Sequence, residues 1–222
     1  MVDKEKTDPI LGKEINTYLE SLGCETPMIN SNTKSPTEKI QAIEEKAQEI
    51  MSILGLSLDD DSLCRFLSRI AKMYVNELFY GLDYNNFPKI MTFDNKMGFD
   101  SMVVERHIKV YSVCEHHGIP IVGEAVIAYI PKDKVIGLSK LNRIVDFFSR
   151  RPQVQERLGE QIYYALSYIL GTEDVAVLIK AEHFCVKMRG VQDVNSDTIT
   201  TKLGGLFFGG SQRNEFFQAA KL

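Results

Sequence analysis

Metal-binding chemistry is concentrated at two points far apart in this chain, so any fold that uses it must bring distant segments together. Three of the four histidines and two of the four cysteines fall in Cys114-Glu115-His116-His117 and His183-Phe184-Cys185. Zinc prefers thiolate and imidazole, and a Cys-x-x-His spacing lets one tight turn close around an ion. A soft ligand from a distant strand then completes a set of two thiolates and one imidazole. A set of three is what a catalytic zinc uses, with its fourth position kept for water. Cys114, His117 and Cys185 are therefore the expected ligands of one Zn²⁺.

Duller readings exist for the same residues. The two thiols could pack as small hydrophobes. They could form a disulfide, which a reducing compartment disfavours. They could also hold a structural zinc, with His116 or His183 as fourth ligand. Two clusters in a chain otherwise poor in both residue types favour zinc over a chance pairing.

The spare histidines add to the functional reading. Residues 174–181 and 184–191 read as two strands, and on a strand residues two apart share a face. His183 and Cys185 would then face one pocket, where a histidine is well placed to move protons near neutral pH. Glu115 reads equally well as an exposed loop carboxylate.

Composition sets the outer bounds. A chain of 222 residues with 44% apolar and 25% charged residues can build one core plus a small helical appendage. No apolar run approaches the ~20 residues of a membrane span. The N-terminus is polar, without an apolar signal core. Four cysteines, at 24, 64, 114 and 185, are too scattered for a disulfide scaffold. The expectation is a cytoplasmic protein. A net charge of −4 argues against general nucleic-acid affinity.

The first half reads as helical and the second as mixed. A short helix is expected over 11–22, then a turn-rich linker over 29–36. Ser35-Pro36-Thr37-Glu38 fits a capping box with proline in the first turn. The helix after it aligns Ile40, Ile43, Ala47, Ile50 and Leu54. Asp59, Asp60 and Asp61 suit the start of the next helix, which carries Leu63 to Leu78 and ends at Gly81. Strands follow over 100–114 and 121–130, with the Cys114 motif on the loop between them. Ser139 is expected to cap one further helix and Pro152 to open another, ending at Gly171. A Thr-rich strand near 196–203, a glycine-rich loop and a C-terminal helix complete an α+β pattern with antiparallel pairing.

A basic stretch sits among those helices. Lys140 and Arg143 are three apart and share a helix face near an N-terminus, a natural anion site. Arg189 could join them. The alternative is a solvated helix face, with Glu156 simply paired to a nearby arginine. No glycine-rich phosphate loop occurs, so side chains would have to hold any phosphate.

At this point several segments together resemble one family. Cys114–His117, Ala128-Tyr129-Ile130-Pro131, Gly137–Val145, Arg151–Leu158 and His183–Gly190 are similar, in order, to the motifs of GTP cyclohydrolase I. The resemblance runs from about residue 40 to the C-terminus. It implies a division into a variable N-terminal extension (1–36), a helical region (37–90) and a catalytic domain (91–222). That domain would have the tunnelling fold, an antiparallel sheet with two helices on one side. Five subunits would close a barrel and two rings would stack into a decamer, with active sites between subunits.

The implied reaction converts GTP and water to 7,8-dihydroneopterin triphosphate and formate, the entry to tetrahydrofolate and other pterins. The resemblance makes Cys114, His117 and Cys185 the zinc ligands. It makes His183 a proton donor to the opening imidazole ring of guanine, His116 a support for developing charge, and Ser139 a helper in ring closure. Glu156 would hold the guanine edge and exclude adenine, with Gln155 and Leu138 also contacting substrate. Lys140, Arg143, Arg189 and Arg69 would bind the triphosphate. Two departures stand out. Phe66-Leu67-Ser68-Arg69 lacks the Thr-Pro usual before this arginine, which implies an altered helix path. Glu124 follows Gly123 where a basic residue is usual.

Overall fold

The computed structural model describes residues 3–29 and 34–221. Part of the expected linker, residues 30–33, lies outside the described residues. The chain forms two compact units: Pro27–Tyr80, and Asp3–Thr26 together with the chain from Gly81 onward.

In the second unit, α1 (Pro9–Ser21) opens on Asp8, whose carboxylate accepts from the Leu11 amide at 3.0 Å. It buries Ile15 and Leu19 and packs against a later helix, α5. Leu22, the last residue of the expected helix, is exposed beyond the helix end.

The first unit is built on α2 (Pro36–Ile53) and α3 (Phe66–Met73). The capping box is present: Ser35 Oγ accepts from the Glu38 amide, and the Glu38 carboxylate accepts from the Ser35 amide. Of the expected stripe only Ala47 is buried, while Ile50 and Leu54 are 53% and 66% exposed. The aspartate-led helix start is not formed. Asp60 Oδ1 instead accepts from the amide and hydroxyl of Ser62, a local turn that competes with helix. The helix therefore begins only at Phe66, with Leu63 outside it, and the Phe66-Leu67 pair stands in its first turn. It does not run on to Gly81. It widens into a π-helical turn over Tyr74–Leu78, closed by the Phe79 amide on the Tyr74 carbonyl.

The centre of the second unit is a five-stranded sheet. Its elements, with intervening helices, are β1 (Thr92–Asp94), β2 (Val103–Cys114), β3 (Pro120–Tyr129), β4 (Lys134–Ile136), α4 (Leu138–Ser149), β5 (Pro152–Gln153), α5 (Gln155–Leu170), β6 (Val175–His183), the single helical turn α6 (Phe184–Lys187), β7 (Thr198–Leu203) and α7 (Gly210–Ala219). The strand order is β5-β2-β3-β6-β7, and all pairs are antiparallel except β2 with β5. β1 and β4 make a separate two-stranded ribbon that the sequence patterning did not anticipate. Helices α4 and α5 pack on the sheet and on each other. A second apolar cluster joins Val126, Ala128 and Leu178 to Phe207 and Phe216 of the C-terminal segment.

Three local expectations are corrected. Ser139 does not cap α4. The cap is Gly137, and Ser139 lies inside the first turn. Pro152 does not open α5. It pairs with Val113 at the sheet edge, where its missing N–H costs no ladder bond, and the helix starts at Gln155. Residues 184–191 are not a strand, because the Met188 amide bonds back to the Phe184 carbonyl and Gly190 turns the chain at φ 60°. By contrast, α5 does end at Gly171, in the left-handed conformation. Glu124 finds a partner across a bulge in β2, where His107 (φ 57°) brings Nδ1 to 2.6 Å from its carboxylate.

Candidate metal centre and substrate site

Cys114 is the last residue of β2, and β3 returns beside it from Pro120. The connection is fixed at several points. The Cys114 amide donates to the Ile119 carbonyl at 2.8 Å, and Gly118 turns the chain at φ 66° while donating to the Cys114 carbonyl. The parallel pairing with β5 holds the other side, through the Glu115 amide on the Gln153 carbonyl at 3.0 Å. Glu115 then makes a two-point ion pair with Arg157 in the first turn of α5, at 2.7 and 3.2 Å. That guanidinium holds the Glu115 carboxyl below its usual range. Glu115 is thus a strut of the loop rather than a free carboxylate.

β6 pairs antiparallel with β3 and ends opposite this loop, with His183 across from Ile121. The helical turn α6 then carries Cys185 back toward Cys114. The ligand atoms of Cys114, His117 and Cys185 all lie within 4.8 Å of one another. The expectation that His183 and Cys185 share a strand face is replaced by this route, with one residue on the strand and the other on a helical turn.

The donor set suits zinc. Around a tetrahedral zinc such atoms stand roughly 3.5–3.8 Å apart, so a small contraction closes the set. Burial, together with the adjacent Cys114 sulfur, pushes the Cys185 thiol pKa up. A cation shared by the two sulfurs would offset that cost. His116 lies beside the same sulfur, with Nδ1 3.8 Å from Cys114 Sγ.

His183 Nε2 bonds Gln155 Oε1 at 2.8 Å. Burial pulls the His183 pKa down, and the Glu156 charge opposes this. Gln155 is almost fully buried, and its amide nitrogen donates to the Ile179 and Thr198 carbonyls and to Thr200 Oγ1. Its side-chain polar atoms are all hydrogen-bonded within the chain, and its oxygen holds the His183 ring. Glu156, its neighbour, is exposed, because the second position of α5 faces away from the core that Gln155 and Leu158 enter. Arg189 lies on the surface with Nη1 2.7 Å from His117 Nε2.

Other expected site residues form a second group. Leu138, Ser139, Lys140 and Arg143 lie on the first two turns of α4, where Leu138 is 53% exposed. Burial and the nearby Arg143 and Lys89 charges hold the Lys140 pKa below the ordinary lysine value. Lys89, in the segment before β1, carries no motif and was not expected in this cluster. Asn142 bonds Glu105 at 3.2 Å, which fixes this end of α4 near the start of β2. Cys114 ends the same strand nine residues on, roughly 25–30 Å away along an extended chain. Within one chain these two groups do not come together. Arg69 lies on α3 in the other compact unit. Arg151, immediately before β5, is fully buried and has a structural role.

Comparison with known proteins decides the family. The model of the family "GTP cyclohydrolase I" matches residues 43–221. The chain belongs to the GTP cyclohydrolase I family. It is 54% identical over 207 residues to GTP cyclohydrolase 1 of Tolumonas auensis, covering 93% of this chain and 95% of that one. It is 56% identical over 193 residues to GTP cyclohydrolase 1 of Aeromonas salmonicida, covering 87% and 88%. Among solved structures, the archaeosine synthase QueF-Like in the apo form aligns with 47% of this chain and 94% of its own, at TM-score 0.39 and 18% identity. Membership in the family makes this chain an enzyme of the GTP cyclohydrolase I type. Among the described residues no helix is long and apolar enough to cross a membrane.

Proposed function

We propose that this member of the family converts GTP and water to 7,8-dihydroneopterin triphosphate and formate, with Zn²⁺ held by Cys114, His117 and Cys185. The observation that carries the reading is the convergence of two sulfurs and one imidazole beside a second, internally hydrogen-bonded histidine. Zinc bound there would activate water for attack on C8 of guanine.

The chain's own residues supply the rest. His183, its Nε2–H held by Gln155, takes on Nδ1 the proton released by the water that adds to C8 and delivers it to the ring nitrogen as the imidazole of guanine opens. His116, next to the Cys114 sulfur, stabilises developing charge. Glu156 accepts from the N–H groups of the guanine edge, and Leu138 contacts the substrate. Lys140, Arg143, Arg189 and Arg69 bind the triphosphate, and Lys89 adds to the positive field around Lys140. Ser139 assists ring closure.

The wide separation of the α4 cluster from Cys114 supports sites shared between subunits, with α4 of one protomer facing the metal centre of another. The tunnelling fold and a decamer of two pentamers fit this arrangement. Exposed Ile50 and Ile53 on α2, with Leu54 just past its end, add apolar surface of the kind an assembly covers. The product would feed tetrahydrofolate and other pterin synthesis in the cytoplasm. Incubating the zinc-loaded protein with GTP should release formate and yield a fluorescent pterin after oxidation. No product from folded, metal-loaded oligomer would reject the reading.

A further inference from the structure

We propose that Arg189 is a latch on His117: the guanidinium and the metal compete for one imidazole, and a polyphosphate that draws Arg189 away favours metal binding. Arg189 Nη1 lies 2.7 Å from His117 Nε2. Arginine has donors only, so Nε2 must accept, and the neutral ring keeps its proton on Nδ1. If a metal takes Nε2, the guanidinium occupies the lone pair it needs. If a metal takes Nδ1, the ring proton must sit on Nε2, and two donors then face each other. Either way the contact must break.

Arg189 is free to leave. It is exposed, and it is followed by two residues of left-handed backbone, Gly190 and Gln192, flanking Val191. Lys187 on the preceding turn is held at both sides, by Glu182 at 3.1 Å and the Val194 carbonyl at 2.7 Å. Arg189 is therefore the cation of this segment that can swing onto an anion without breaking an anchor of the turn. Coupling of this kind is reciprocal: the anion strengthens metal binding by the factor by which the metal strengthens anion binding. The anion half rests on the reading above of Arg189 as a triphosphate ligand. The competition with metal does not.

The test uses the full-length protein and reads zinc affinity, with free zinc fixed by a chelator buffer and no nucleotide present. Arg189→Ala should bind zinc more tightly, by about fivefold or more. Lys187→Ala removes the same charge from the same segment and should change the affinity much less. Inorganic tripolyphosphate should tighten zinc binding to the native chain but not to Arg189→Ala. Equal zinc affinity of the native chain and Arg189→Ala would overturn the latch, and so would equal tightening by Lys187→Ala, since general charge removal would then explain it. Tightening by Arg189→Ala with no effect of tripolyphosphate on the native chain would overturn the coupling, and would trace the failure to the phosphate role of Arg189 rather than to the metal site.

Discussion

His183 Nε2 donates to Gln155 Oε1 at 2.8 Å, and the direction of that bond is set from behind the glutamine. Three acceptors, the Ile179 and Thr198 carbonyls and Thr200 Oγ1, surround the Gln155 amide nitrogen, so its oxygen must face the histidine. Strands β6 and β7 thereby choose the His183 tautomer. Gln155→Ala should lower kcat by roughly ten- to a hundredfold, the usual effect of losing a group that orients a reacting side chain, with KM for GTP little changed. Steady-state kinetics decide this. A rise in KM at constant kcat would instead make Gln155 a direct substrate contact.

Arg151 is fully buried among Tyr84, Phe147 and Phe148, its guanidinium 4.8–5.1 Å from their ring centres. It donates to the Gly81 carbonyl, the Tyr84 hydroxyl at 3.2 Å and Thr26 Oγ1 at 3.3 Å. It thus ties three chain segments together beneath the strand that supports Cys114. Arg151→Ala should cost about 3–5 kcal/mol, the range for emptying a large side chain from a packed core. Arg151→Lys should recover only part of this, because an ammonium cannot reproduce the planar fork. Urea unfolding followed by circular dichroism measures both.

Alkaline pH should weaken the fold through one cluster. Burial alone would lower the Lys202 pKa, but the Glu160 carboxylate at 2.7 Å and the Tyr164 hydroxyl outweigh it and raise it. Burial raises the pKa of Tyr163, whose ring Lys202 approaches at 5.2 Å. Groups with raised folded-state pKa values bind protons more tightly when folded. Their contribution is complete below the unfolded values, about 10 for both residue types, and is lost as pH rises through the folded values. Unfolding free energy measured from pH 8 to 11 should therefore fall more steeply above about pH 10 in the native chain than in Glu160→Gln.

The metal-ligand cluster was more legible in the sequence than the path of the backbone. The metal triad was legible because chemistry restricts zinc ligands to few residue types, and two clusters of them stand out in a chain with four cysteines and four histidines. The long strands β2, β3 and β6 were legible from alternation and β-branched content. The start of α3 was not, because a single Asp60–Ser62 turn outcompetes a helix that three aspartates favour. The strand expected after His183 failed because Val186 and Met188 alternate like a strand, while Gly190 and Gln192 require left-handed backbone. The contact of Gln155 with His183 had no local signal, because the β6 and β7 acceptors around its amide come from segments far along the chain. Lys89 had no local signal, since only folding brings it near Lys140.

The central claim is that the Cys114, His117 and Cys185 cluster holds the ion on which the chemistry depends. The most direct measurement compares zinc content and formate release from GTP in the native chain and in Cys185→Ala, with folding checked by circular dichroism. The native chain should carry about one zinc per chain and release formate. Cys185→Ala, altered at a half-exposed position, should stay folded and lose both. Formate release at the native rate from a zinc-free Cys185→Ala protein would contradict the account.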